Sequence, residues 1–133
     1  MFQNIATPSF TASGDIAPSR FVKITGAFKV GQCTVAKERS VGVSQEGLVD
    51  TPIPGASSTL AAQAGRHVGV FGPGETCLVQ VGAAVTAGAL LTGDANAKAI
   101  PTTTAGDIYH GIALEDQATV DGKVLIWLQG GKV

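Results

Sequence analysis

The residue types that could perform chemistry are few and poorly placed for it. The chain holds two histidines, His67 and His110, and two cysteines, Cys33 and Cys77. Catalysis requires an acid, base or nucleophile held beside a partner that tunes it. A local metal pair requires a second histidine or cysteine within a few positions, and neither histidine has one. A composite of Cys33, Cys77, His67 and His110 is the one constellation that folding could gather. No serine occupies a Gly-x-Ser-x-Gly elbow. Gly72-Pro73-Gly74 lacks the Lys-Ser/Thr that completes a phosphate cradle, and Gly93 to Lys98 lacks the second glycine. Asp94, Asp107, Asp116 and Asp121 fall where turns are expected, and short acidic side chains there cap the backbone. Trp127 reads as a core or interface anchor. The expectation is no catalytic, cofactor or metal site, and no enzyme.

The elements that would position these residues are strands. Arg20 to Ile24, Phe28 to Val30, Cys33 to Val35 and Ser40 to Ser44 carry β-branched and aromatic residues punctuated by glycine. His67 to Phe71 and Thr76 to Val81 flank Gly72-Pro73-Gly74-Glu75. Proline presets φ and the following glycine accepts φ > 0, which predicts a type II turn and a hairpin. Val85 to Leu91, Ala97 to Ile100, Ile108 to Leu114 and Lys123 to Leu128 supply four more strands, with turns at Gly93 to Asn96 and Val120 to Gly122. One short helix is expected at Ser57 to Gly65, with a serine cap and glycine in stopping position.

Residues 20–47 and 89–116 align without a gap at an offset of 69, the step from Gly42 to Gly111. Lys29 meets Lys98, Ala36 meets Ala105 and Glu46 meets Glu115, while Phe21 meets Leu90 and Val43 meets Ile112. This predicts two similar β-units inside one domain spanning residues 20–133. Each unit has an apolar face it cannot bury alone, so the units should close on each other. The fold class expected is mostly β, a small β-barrel or β-sandwich. Residues 1–19 read as an extended N-terminal arm: serine, threonine, proline and glycine give it no period, yet Phe2, Ile5, Phe10 and Ile16 are spaced along it. These four are the candidate partner-interface residues; the alternative is an arm folded back on its own domain as an edge strand.

Composition excludes several function classes. Only 14% of the 133 residues are charged, against about 25% in an average globular protein, and mean hydropathy is +0.28. So little charge implies apolar surface covered by partners, hence an assembly component. Net charge is −1, which gives no field for displacing counterions from phosphates, so nucleic acid is not expected. No apolar run approaches the roughly 18 residues needed to span a membrane, and the N-terminus lacks the basic start and apolar run of a signal peptide. Cys33 and Cys77 then read as reduced thiols of a cytoplasm, with one disulfide as the alternative.

Six stretches carry a resemblance: Pro18-Ser19-Arg20-Phe21-Val22-Lys23, Gly42-Val43-Ser44-Gln45-Glu46-Gly47, Phe71-Gly72-Pro73-Gly74-Glu75, Val85 to Leu91, Asp94 to Ala99, and Gly111-Ile112-Ala113-Leu114-Glu115. In these, over roughly residues 14–129, the chain resembles the capsid cement, or head-decoration, proteins of tailed bacteriophages. The resemblance implies a structural protein without enzymatic activity, assembled in the host bacterial cytoplasm and bound to the outer surface of the virion capsid. Its implied partners are the major capsid protein, across subunit junctions of the expanded shell, and itself as a homo-oligomer, a homotrimer or a dimer. The alternative function is a carbohydrate or cell-surface binding module displayed on the virion, for which one Trp and one Tyr are available.

Overall fold

The computed structural model describes residues 10–45, 62 and 64–133. Among them eleven strands form: β1 (Phe10–Ala12), β2 (Phe21–Gly26), β3 (Lys29–Gln32), β4 (Gly42–Ser44), β5 (His67–Val68), β6 (Val70–Phe71), β7 (Thr76–Gln80), β8 (Leu90–Gly93), β9 (Ala99–Pro101), β10 (Ile108–Ala113) and β11 (Lys123–Lys132). They make two sheets, ordered β5-β1-β3-β2-β4-β6 and β7-β11-β10-β8-β9. The class is mostly β and sandwich-like, and neither sheet closes into a barrel. The first sheet nonetheless curls until its end strands are the consecutive segments on either side of Gly69. The end strands of the second are linked by one parallel bridge, Val81 to Ala99.

The offset of 69 recurs in the ladders. In the first sheet Phe21 opposes Val43, Val22 opposes Gly42 and Gln32, and Ile24 opposes Val30. In the second, Leu90 opposes Ile112, Leu91 opposes Gly111 and Pro101, and Gly93 opposes Ala99. Ala12 lies parallel to Val30 as Val81 does to Ala99. Positive φ falls at matching places too: Ser19 and Gly88, Phe28 and Ala97, Lys37 and Gly106. A second offset, 56 from Phe71 to Trp127, maps β5 and β6 onto β11: Val43 opposes Phe71 as Ile112 opposes Trp127. Side chains alternate across a pleated strand, so equal register puts equivalent residues on equivalent faces.

Each sheet wraps apolar side chains of its own. Ala12, Ile16, Val22, Val30, Val68 and Val70 cluster in the first. Their counterparts Val81, Val85, Leu91, Ala99, Val124 and Ile126 cluster in the second, joined there by Phe21 and Val43 of the first sheet and by Cys33, which follows β3. Burying each large aliphatic side chain stabilises by about 1.5–3 kcal/mol. Main-chain bonds tie the sheets together, from Phe21 N to Ala97 O (3.0 Å), Lys37 N to Gly93 O (2.7 Å) and Gln80 N to Ser19 O (2.9 Å).

Four expectations change. The turn at Gly72 to Glu75 forms, with Glu75 N donating to Gly72 O at 3.2 Å and Gly74 at φ +89°. Its flanks are no hairpin, since β6 pairs with β4 and β7 with β11 in different sheets: a turn sets local direction, while the partner is chosen by the apolar face. Cys33 to Val35 leaves the ladder after Gln32, and Val85 touches Gln117 only in an isolated bridge before β8. Phe10 to Ala12 of the expected arm form β1 of the first sheet, and Ile16 makes an isolated bridge to Ala62. The expected helix at Ser57 to Gly65 lies almost wholly outside the described residues; Ala62, which is described, bridges Ile16.

Candidate interaction surface

The titratable candidates end up apart from one another in role. His110 on β10 is 8% exposed, and its Nε2 lies 2.9 Å from Glu38 O. A carbonyl only accepts, so Nε2 carries the proton and donates. Burial pushes its pKa below the ordinary histidine value; the bond to Glu38 opposes this and the charge of Arg39 adds to it. The imidazole is therefore a neutral, structural one. Cys33 and Cys77 are free and buried, and burial pushes their thiols up to about 11 and about 12. His67 is exposed on β5. Among the described residues, no three His, Cys, Asp or Glu side chains could hold a metal ion together. The shallow crevice beside His110, bounded by Ser40, Val41, Pro73 and Gln129, has no acidic side chain in its lining.

The aspartates hold backbone and partner strands. Asp94 Oδ1 accepts from the amides of Asn96 (2.8 Å) and Lys98 (2.9 Å). Asp116 Oδ1 accepts from Ala87 N at 2.7 Å. Asp107 accepts from Thr102 Oγ1 at 2.6 Å and pairs with Lys37 Nζ at 2.8 Å, linking the two sheets; both contacts, the Lys37 one first, hold its carboxyl below its usual range.

What the surface does offer is apolar area. On β11 the inward residues Val124, Ile126 and Leu128 are buried, while Leu125 and Trp127 point outward and are 36% and 45% exposed. Leu125 pairs with Leu78 of β7 and Trp127 with Ile112 of β10, which pairs in turn with Leu90 of β8. An apolar band thus crosses four strands of the outer face. Elsewhere on the surface, Ile24 on β2 and Phe28 of the β2–β3 turn are 57% and 71% exposed. The signal for the band was present in Val124-Leu125-Ile126-Trp127-Leu128, a strand apolar on both faces. A strand with one wet face alternates.

Of the four expected arm residues, Phe10 is half-buried in β1 and packs on the first-sheet cluster. Ile16 has no exposed surface and is bridged by Ala62. Both pack within the chain itself, Phe10 on a strand that lies between β5 and β3 and not at a sheet edge. Phe2 and Ile5 lie outside the described residues. Carrying the offset of 69 back past residue 20 would have shown this, because Phe10 matches Val79 and Ile16 matches Val85.

A family model described as phage cement protein matches residues 2–128. The chain belongs to the phage cement protein family. The crystal structure of the head fiber gp8.5 N base of bacteriophage phi29 superposes with a TM-score of 0.56, covering 94% of each chain at 17% identity. At that identity the likeness is one of fold. No curated protein matches. As a cement protein, the chain is a capsid-associated structural component of the virion, and in such a protein the outward Trp127 band and the Ile24–Phe28 turn are the surfaces to account for.

Proposed function

We propose that this cement protein binds the outer surface of the phage head across junctions between major capsid protein subunits, as a homo-oligomer, and thereby stabilises the expanded shell. The family match across residues 2–128 is the observation that carries this reading. The exterior supports it: eight large apolar side chains, among them Phe28, Val35, Leu114, Val120 and Trp127, stand exposed among the described residues, and exposed apolar patches mark interaction sites. The arm part of the reading rests on residues 1–9, whose Phe2 and Ile5 precede β1. Ordering such a segment costs about 1–2 kcal/mol per residue; strand addition to a neighbour's edge and burial of its apolar side chains would offset that. Several arms on one oligomer would add by raising effective concentration. Assembly in the host bacterial cytoplasm agrees with two buried, unpaired thiols.

The test is decoration of expanded, undecorated heads, read by co-sedimentation, electron cryomicroscopy and shell melting. The full chain should bind outside at subunit junctions and raise the melting temperature of the shell. A chain lacking residues 1–9 should keep its fold, because β1 begins at Phe10, and lose attachment. Density elsewhere, or unchanged binding without residues 1–9, refutes the corresponding part.

A further inference from the structure

The two sheets use equivalent faces differently. Phe21, Val43 and Phe71 are the first-sheet counterparts of Leu90, Ile112 and Trp127, by the offsets of 69 and 56 and by identical register. In the first sheet this trio is covered. Phe21 and Val43 have no exposed surface, and with Phe71 they join the cluster of the second sheet. In the second sheet Leu90 and Ile112 are half-buried and Trp127 is exposed.

What covers Phe21 is the β8–β9 turn and β10 of the second sheet. Its amide donates to Ala97 O at 3.0 Å. Its ring lies against Gly93, 3.3 Å from where a Cβ would stand, and against His110. The first-sheet counterparts of Gly93 and Ala97 are Ile24 on β2 and Phe28 of the β2–β3 turn, both exposed. The contact between the repeats is therefore made once inside the chain, and the counterpart of each half is left exposed. The sizes complement one another: a large ring over a glycine (Phe21 on Gly93) becomes two aliphatic side chains of middle size (Leu90 on Ile24). Charge at the outer face is mixed: Glu75 precedes Thr76, the β7 neighbour of Trp127, Glu115 accepts from Leu125 N at 3.0 Å, and exposed Lys123 shares the outward register of Leu125 and Trp127. Exposed Lys29 follows Phe28 and has no ion pair among the described residues.

We infer that the outer face of the second sheet, centred on Leu90, Ile112 and Trp127, docks onto the Ile24–Phe28 turn of a second copy of this chain. The contact is heterologous, so copies join head to tail and close into a ring where the rotation allows it. The inference gives the homo-oligomer proposed above a specific interface, and free protein tests it without any shell.

The test is the mass of the full chain in solution by light scattering, with Trp127→Asp and Phe28→Asp alone and mixed. Wild type should exceed the 13.4 kDa of one chain. Each variant should fall to the mass of one chain with an unchanged β circular dichroism spectrum, the self-affinity dropping by at least about 30-fold, as for a buried anchor. Mixing should restore one association step, because Phe28→Asp keeps an intact outer band and Trp127→Asp an intact turn. Wild type of single-chain mass, or an oligomer that survives both substitutions, overturns the inference. A mixture that stays monomeric overturns the head-to-tail arrangement. Should wild type prove monomeric while Trp127→Asp still loses the shell, the band faces capsid protein; the self-docking inference then fails and the capsid reading stands.

Discussion

Phe21 of the first sheet and His110 of the second hold their rings face to tilted face, with centroids 5.4 Å apart and planes at 57°. Such pairs contribute about 0.5–1.5 kcal/mol beyond the area they bury. Here the pair also joins two halves that each possess a core.

That pairing makes stability depend on pH. Burial lowers the pKa of His110 in the fold, so the unfolded chain binds its proton more readily. The contribution of the neutral imidazole is complete above the unfolded value, near 6.5, and is lost as pH falls from there toward the lowered folded value. Denaturant unfolding at pH 7.5 and 5.5 should show wild type losing more stability than His110→Gln, which retains a donor for Glu38 O. Equal losses would remove His110 as the source.

The two thiols should be inert until the chain opens. With Cys33 pushed up to about 11 and Cys77 to about 12, almost no thiolate exists at pH 8, and thiolate is the reactive form. A disulfide-exchange reagent should titrate both only in denaturant; rapid labelling of native protein would contradict the buried placement.

Gly42 and Gly111 should resist substitution unequally. A Cβ on Gly42 would stand 2.0 Å from the backbone oxygen of Phe71, which cannot move aside, while one on Gly111 would stand 2.9 Å from the tip of the Ile126 side chain, which can. Gly42→Ala should destabilise by at least about 3 kcal/mol and Gly111→Ala by about 1–2 kcal/mol, within or just above the range for overpacked sites. Chemical denaturation orders the two; the reverse order would refute the close-approach argument.

Thr92→Val should stabilise. Thr92 on β8 has no exposed surface, and its Oγ1 has no hydrogen-bond partner among the described residues. A buried hydroxyl without a partner costs about 1–3 kcal/mol, and valine fills nearly the same volume. A rise of roughly 1 kcal/mol in unfolding free energy is expected, and a fall would mean that the hydroxyl is satisfied.

Much of the fold was legible because β periodicity and turn chemistry are local. Gly72-Pro73-Gly74 announced a turn that forms, and the six matched stretches pointed to the family that the chain belongs to. The hairpin around that turn was misread because β6 and β7 reach partners distant in sequence, Val43 and Leu125 among them. The places of Phe10 and Ile16 were hidden for a similar reason. Ile16 looks like an isolated apolar residue in a polar segment until Ala62 and the first-sheet cluster close over it.

The sequence by itself determined the strand vocabulary, the scarcity of charge and the 69-residue echo, all of which are properties of residues and their spacing. Only the tertiary structure decided which copy of each repeated face is covered. Phe21 and Leu90, or Phe71 and Trp127, are similar apolar residues at equivalent positions, and nothing local tells them apart. Their fates differ because there are two repeats and one contact between them, so one face is buried inside the chain and its twin stays exposed.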